Sequence, residues 1–252
     1  MDYVLPILIS AFVAVVFFRR QINAASRKWF EGETTAQKET LADIVSRERK
    51  KLTERTALEA AIEEPDEPIP FGYKCAWLAI KTEAPEAVVA ALRLSGVKKC
   101  NWITGIPAAY KGSLFVTPVV KGWVLAIGLS LPDISERGRP DRLTPLVEWL
   151  GEKFDEIQYF GTHRIVGYQA WLRWRSGEIE RRFAYLGERD ETLRDDGDRT
   201  DEEVSLGLIY DDSRTPDEED VTKLAGAWSI DPTLLDALNL GKGVGYLGSF
   251  PK

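Results

Sequence analysis

The stretch Ile157–Leu186, IQYFGTHRIVGYQAWLRWRSGEIERRFAYL, decides the fold. Within it Val166, Tyr168, Ala170, Leu172 and Trp174 alternate with Gly167, Gln169, Trp171 and Arg173. Beyond Ser176-Gly177, Ile179, Arg181, Phe183 and Tyr185 alternate with Glu180, Arg182, Ala184 and Leu186. A strand turns successive side chains to opposite faces, so a period of two kept across a turn predicts an antiparallel meander. Ile157 to Phe160 reads as a short leading strand, with Gly161 to Arg164 as its connection.

Working outward, Phe71 to Lys81 is apolar and aromatic, as a buried first strand should be. Pro85 opens a helix that Gly96 ends, and Asn101 to Tyr110, with its glycine and proline, reads as a loop. SLFVTPV and GWVLAIGL form a hairpin about Val120-Lys121-Gly122, with Pro118 ending the first arm or confining it to an edge. Leu143 to Phe154 is helical, with Thr144 as cap and Pro145 at the first position. After Gly187 the chain becomes acidic and reads as a solvated loop. Thr200 with Glu203 then has the spacing of a capping box, and Thr215-Pro216-Asp217-Glu218-Glu219 starts a helix that runs to about Ala225. Asp231-Pro232 starts another. The expected fold is α+β over residues 68–252, a mainly antiparallel sheet covered by helices.

Ahead of this domain, Val4 to Phe18 is an uncharged apolar run followed by Arg19 and Arg20. It extends ~22 Å as a helix against a hydrocarbon core of ~30 Å, a gap that snorkelling arginines and slight thinning can close. Residues 1–20 are therefore expected to form a single-pass transmembrane anchor. The basic residues after it place the domain in the cytoplasm, at the inner membrane. Residues 21–67 read as a charged helical stalk, with Leu41, Ile44, Val45, Leu52, Leu58 and Ile62 at helical spacing. Self-association through that stripe is possible, and Pro65, Pro68 and Pro70 end the stalk.

Composition narrows the function. Among 252 residues the net charge is −7, which disfavours nucleic acid and suits a basic protein partner. Val221 to Leu238 outlines a helix–turn–helix, but its second helix carries no basic residue to read DNA. Two cysteines without metal spacing and one histidine leave no metal-ligand or cofactor set, so none is expected. GxGxxG at Gly243–Gly248 has no room for the helix that would hold a pyrophosphate. The residues left for binding are few. His163 and Arg164 lie between strands, where His163 reads as a hydrogen-bonded structural residue. Arg173, Arg175, Arg181 and Arg182 read as a charged solvent face able to meet carboxylates or an anion. Asp195, Asp196 and Asp198 lack the register of a calcium loop and are suited to a basic partner.

The segments FGYKCAWLAIK, GWVLAIG, EIQYFGTHRIVGYQAW, AYLGE and DEEDVTKLAGAWSIDP resemble a group of uncharacterised bacterial proteins, over Phe71 to the C-terminus. That resemblance implies no functional residue. In its acidic, aromatic-rich α+β character the chain is also similar to bacterial toxin-immunity proteins. The expectation is a non-enzymatic, membrane-anchored binding protein that neutralises a toxin at the inner membrane. An enzyme with a site near His163 and an envelope-assembly scaffold are the alternatives.

Overall fold

The computed structural model describes residues 41–135, 140–210 and 214–251. The expected anchor, residues 1–20, lies outside the described residues, as does the stalk up to Thr40. No helix among the described residues is long and apolar enough to cross a membrane. Contacts divide the chain into Met1–Ala57 and Leu58–Lys252. The stalk's described part is helix α1 (Leu41–Glu63), along which Ile44, Val45 and Leu52 are exposed. It stops at Pro65, because the residue before a proline is pushed out of helical geometry.

The larger unit is built on a nine-stranded sheet among the described residues. In chain order its elements are β1 (Ala76–Lys81), α2 (Pro85–Ala91), β2 (Ser95–Asn101), α3 (Trp102–Ala109), β3 (Leu114–Val116) and β4 (Trp123–Ile127). There follow α4 (Leu143–Gly151), β5 (Glu156–His163), β6 (Tyr168–Arg175), β7 (Glu178–Leu186), β8 (Glu191–Asp196), α5 (Asp201–Ser205), α6 (Glu218–Trp228) and β9 (Val244–Ser249). Short 3₁₀ turns occupy Gly187–Arg189 and Pro232–Leu238. The spatial order is β2-β9-β3-β4-β1-β5-β6-β7-β8, and every pairing is antiparallel. The α+β class and the meander are as expected. The β6–β7 turn is tight because Ser176 and Gly177 both take positive φ (57° and 91°), the backbone that two-residue hairpins require.

Alternation sorts the core into two layers. Trp77, Phe160, Trp171 and Phe183 face one way, under α3 and α6. Leu78, Ile80, Tyr159, Ala170 and Leu172 face the other way, under α2 and α4. The first layer is aromatic and geometrically specific. Trp77 stacks on Phe160 at 5.2 Å and Trp171 on Phe183 at 4.4 Å, separations at which offset rings attract beyond their buried area.

Four expectations need correction. Asn101 to Tyr110 is not a loop, since α3 occupies most of it. Its first amides are satisfied from far away, with Trp102 N–H and Ile103 N–H donating to the two carboxylate oxygens of Asp66 at 2.7 and 2.8 Å. Ser95–Asn101 is an edge strand, its exposed Lys98 and Lys99 suited to a border that must not recruit another chain. β5 continues through Gly161 to His163, so the connection is confined to residues 164–167. The helix at Leu143 is not capped by Thr144. Asp141 accepts from Leu143 N–H and Thr144 N–H, each at 3.0 Å. The glycine-rich end is an extended strand. β9 lies between β2 and β3, where a Cβ on Gly245 would stand 2.2 Å from the Val116 carbonyl oxygen.

Gly105 tests how tightly α3 is seated. A Gly→Ala change inside a helix ordinarily stabilises by roughly 1 kcal/mol. Here the new Cβ would come within 2.3 Å of the fully buried Phe115 ring. Overpacking a core costs about 1–3 kcal/mol, so Gly105→Ala is expected to lower the urea midpoint, and a raised midpoint would contradict the packing.

Candidate functional site

β6 and β7 place Arg173 directly opposite Arg181 on one face of the sheet. Opposed like charges repel, and this face is covered, so both side chains are nearly sealed from water at 7% and 2% exposure. The expected charged solvent face is therefore incorrect for these two. Covering by α5 and α6 removes the water that an alternation pattern alone leaves in place.

Carboxylates resolve the conflict. Arg181 Nε donates to both oxygens of Glu203 at 3.0 Å, and its Nη1 donates to Asp195 at 2.6 Å. Glu203 has no exposed side-chain surface. It also accepts from Trp171 Nε1 at 3.0 Å and from the Thr200 N–H at 2.9 Å. The latter contact belongs to the capping box of α5, which the sequence shows as Thr200 and Glu203. Arg173 is held by Glu156 at 3.2 Å and by Glu180 and Glu202 at 3.5 Å, with the Trp228 ring 5.3 Å from its guanidinium carbon.

The other candidate arginines are also engaged. Arg175 pairs with Glu180 at 2.6 Å, and Arg164 with Glu218 at 2.6 Å. Arg182 points to the opposite face, where it meets Asp196 at 2.8 Å and Asp141 at 3.1 Å. The run expected to be a solvated loop is thus edge strand β8, with Asp195 and Asp196 directed to the two faces. A signal for this existed in the sequence: adjacent arginines at 181 and 182 face adjacent aspartates at 195 and 196 across one turn. No group of three or more His, Cys, Asp or Glu among the described residues could hold a metal ion.

Two of the depressions on the described residues open at opposite ends of β6. The larger, about 610 Å³, is lined by Arg173, Arg175, Glu178, Glu180, Asp198, Arg199, Asp201 and Glu202. Glu178, Asp198 and Asp201 make no ion pair with the described residues, whereas Arg199 is the lining's one unpaired cation among them. Asp198 is therefore the candidate aspartate that makes no ion pair with the described residues.

The smaller depression, about 340 Å³, contains His163 at the end of β5, with Asp133, Ser135, Tyr168, Leu186, Arg189 and Leu193 around it. His163 is exposed and its side chain makes no hydrogen bond with the described residues, which corrects the hydrogen-bonded reading. Asp133, 30 positions earlier in the chain, is what the sequence could not place there. Tyr168 binds its loop by accepting from the Ile134 N–H at 2.8 Å, and Arg194 Nε donates to the Ser135 carbonyl at 3.1 Å. Burial pushes the Asp133 carboxyl above its ordinary range, against the opposing pull of the Tyr159 hydroxyl at 3.3 Å and of His163. Cys75 and Cys100 offer no nucleophile, because burial pushes both thiols up to about 11.

Compared with protein-family models, curated proteins and solved structures, the chain matches none of them. The roles of these residues rest on their geometry alone.

Replacing Glu203 by Gln leaves the Arg181 guanidinium buried beside one remaining carboxylate and is expected to cost about 3–5 kcal/mol, as for other broken buried pairs. The double change Arg181→Met/Glu203→Leu should recover most of that loss in urea denaturation. Recovery failing entirely would mean that the hydrogen bonds, not the charges, dominate.

Asp141 gives a pH test. Burial raises its carboxyl, but hydrogen bonds from Thr144 and Leu143 and the charge of Arg182 outweigh it and hold it below the ordinary 3.8. A depressed acid stabilises the fold above its unfolded value and loses that contribution as pH falls through the folded one. Asp141→Asn should therefore lower the thermal midpoint near pH 7, and the difference from the parent should shrink as pH falls below 3.8. Equal differences at both pH values would count against the pairing.

Proposed function

We propose that the chain is a non-enzymatic binding protein that holds a basic protein partner. The observation carrying this reading is the charge left over in the 610 Å³ cleft. Its paired arginines are occupied by their own carboxylates, while Glu178, Asp198 and Asp201 face solvent against Arg199 alone. Such a surface attracts lysine and arginine, and repels phosphate and other anionic substrates. The absence of an accessible thiolate and the commitment of the arginine rows to the fold support a binding role over catalysis. With the apolar run at residues 4–18, this supports an immunity protein that neutralises a toxin at the inner membrane, its domain on the cytoplasmic side.

The test is co-expression of the full chain with the product of the adjoining gene, followed by purification at low and high salt. A stoichiometric complex is expected that weakens as salt rises. The triple change Glu178→Lys/Asp198→Lys/Asp201→Lys should slow association at least tenfold while leaving the thermal midpoint nearly unchanged, since all three side chains lie outside the packed core. A complex indifferent to both salt and charge reversal would reject this cleft as the docking site, and no complex would reject the reading.

A further inference from the structure

Three loops meet at the end of the sheet opposite the acidic cleft, where β1 begins and β4 ends. Residues 71–75, 109–113 and 128–130 are stitched into one rim. The Tyr110 hydroxyl donates to the Tyr73 carbonyl at 2.7 Å, and the Leu129 N–H donates to the Ala109 carbonyl at 3.3 Å. The rim exposes Tyr73 and Leu129. Ile165 is exposed next to Arg164, whose guanidinium carbon lies 5.7 Å from the Tyr73 ring. The charged residues of the three loops are Lys74 and Lys111, both exposed and neither in an ion pair with the described residues. Asp133, the next acid along the third loop, belongs to the depression on the other layer, with Tyr168 and Leu193. An apolar side chain exposed singly is ordinary. Tyrosine and aliphatic side chains gathered in one place mark a docking surface, and the unpaired cations set the sign of what meets it.

The complementary surface is on the same chain. In the cleft of about 610 Å³, Glu178, Asp198 and Asp201 are exposed and make no ion pair with the described residues. α5, which supplies Asp201, exposes Val204 one turn later. Rim against rim would set lysine against lysine, whereas rim against cleft sets lysine against carboxylate and covers Tyr73 and Leu129 with Val204. We propose that the rim of one copy, through Tyr73, Lys74, Tyr110 and Lys111, docks in the acidic cleft of a second copy. The contact joins unlike surfaces at opposite ends of the sheet. One copy can therefore use both at once, and assembly grows into chains or rings instead of closing as a pair. The rim also keeps the cleft occupied until a more basic partner displaces it, a consequence that rests on the reading of the cleft as that partner's site.

Sedimentation velocity of the full chain at low and high salt is the test. Assembly that grows past the dimer with concentration is expected at low salt, and high salt should disperse it, because exposed pairs are screened. Lys74→Glu/Lys111→Glu and Glu178→Lys/Asp198→Lys/Asp201→Lys should each weaken self-association at least tenfold, with thermal midpoints nearly unchanged. The cleft variant carries less net charge than the parent, so general repulsion alone would make it associate more. Mixing the two variants should restore assembly, since each keeps one parental surface and the two reversed surfaces complement each other. The inference is overturned if the parent stays monomeric at low salt, if assembly stops at a dimer, if the rim variant assembles as the parent does, or if the mixture stays dissociated. The rim variant retains its cleft and should still bind a basic partner, which separates failure of this contact from failure of the partner reading.

Discussion

Two guanidinium groups facing each other across neighbouring strands are the constraint on which the wider half of this sheet depends. Arg173 and Arg181 repel, and both are nearly sealed from water. The neighbouring elements supply what the pair lacks. β5 contributes Glu156, β7 contributes Glu180, β8 contributes Asp195, and the five-residue α5 contributes Glu202 and Glu203. A helix that short does not hold itself together in water, because nucleation consumes most of the free energy that so few bonds return. α5 exists because its capping glutamate is also the counterion of Arg181, so local and tertiary requirements meet in one carboxylate. The Trp228 indole then covers Arg173 and donates to the Thr200 hydroxyl at 3.2 Å, tying α6 into the same arrangement.

That arrangement has a consequence for specificity. A buried charge pair is weak as a source of net stability, since desolvation offsets most of the attraction. It is strong as a selector, because a register slip of one residue in β7 would turn both Arg181 and Phe183 to the wrong face. The acidic surface outside the pair is then what remains available for recognition.

What the sequence revealed and what it hid divide along one line. Features carried by neighbouring residues were legible: the alternation of Tyr168 to Leu186, the Ser176-Gly177 turn, the Thr200/Glu203 box and the acidic start of α6. Features that need a distant partner were not. α3 is capped by Asp66, and nothing within NWITGIPAAY shows it. β2 and β9 form strands because they pair with each other, a pairing that joins residues about 150 positions apart. Alternation shows two faces but not that both are covered, so Arg173 and Arg181 looked solvated. The candidate pocket failed to show for the same reason. His163 was visible as a lone histidine, but its companion Asp133 arrives only through the hold of Tyr168 on the loop before α4.

The place of β9 bears on how the chain is made. Among the described residues it follows the other eight strands in synthesis, yet it lies between β2 and β3 and is the only link that joins β2 to the rest of the sheet. Domains on a growing chain begin to fold from the N-terminal side. Here β1, β3 and β4 can pair with β5 to β8 early, but β2 and the outer side of β3 must wait with unpaired backbone. During that interval the nascent protein carries open strand borders on which foreign chains can dock. Chaperone occupancy, and the point at which a stalled chain becomes protease-resistant, should therefore be set by the emergence of the last strand.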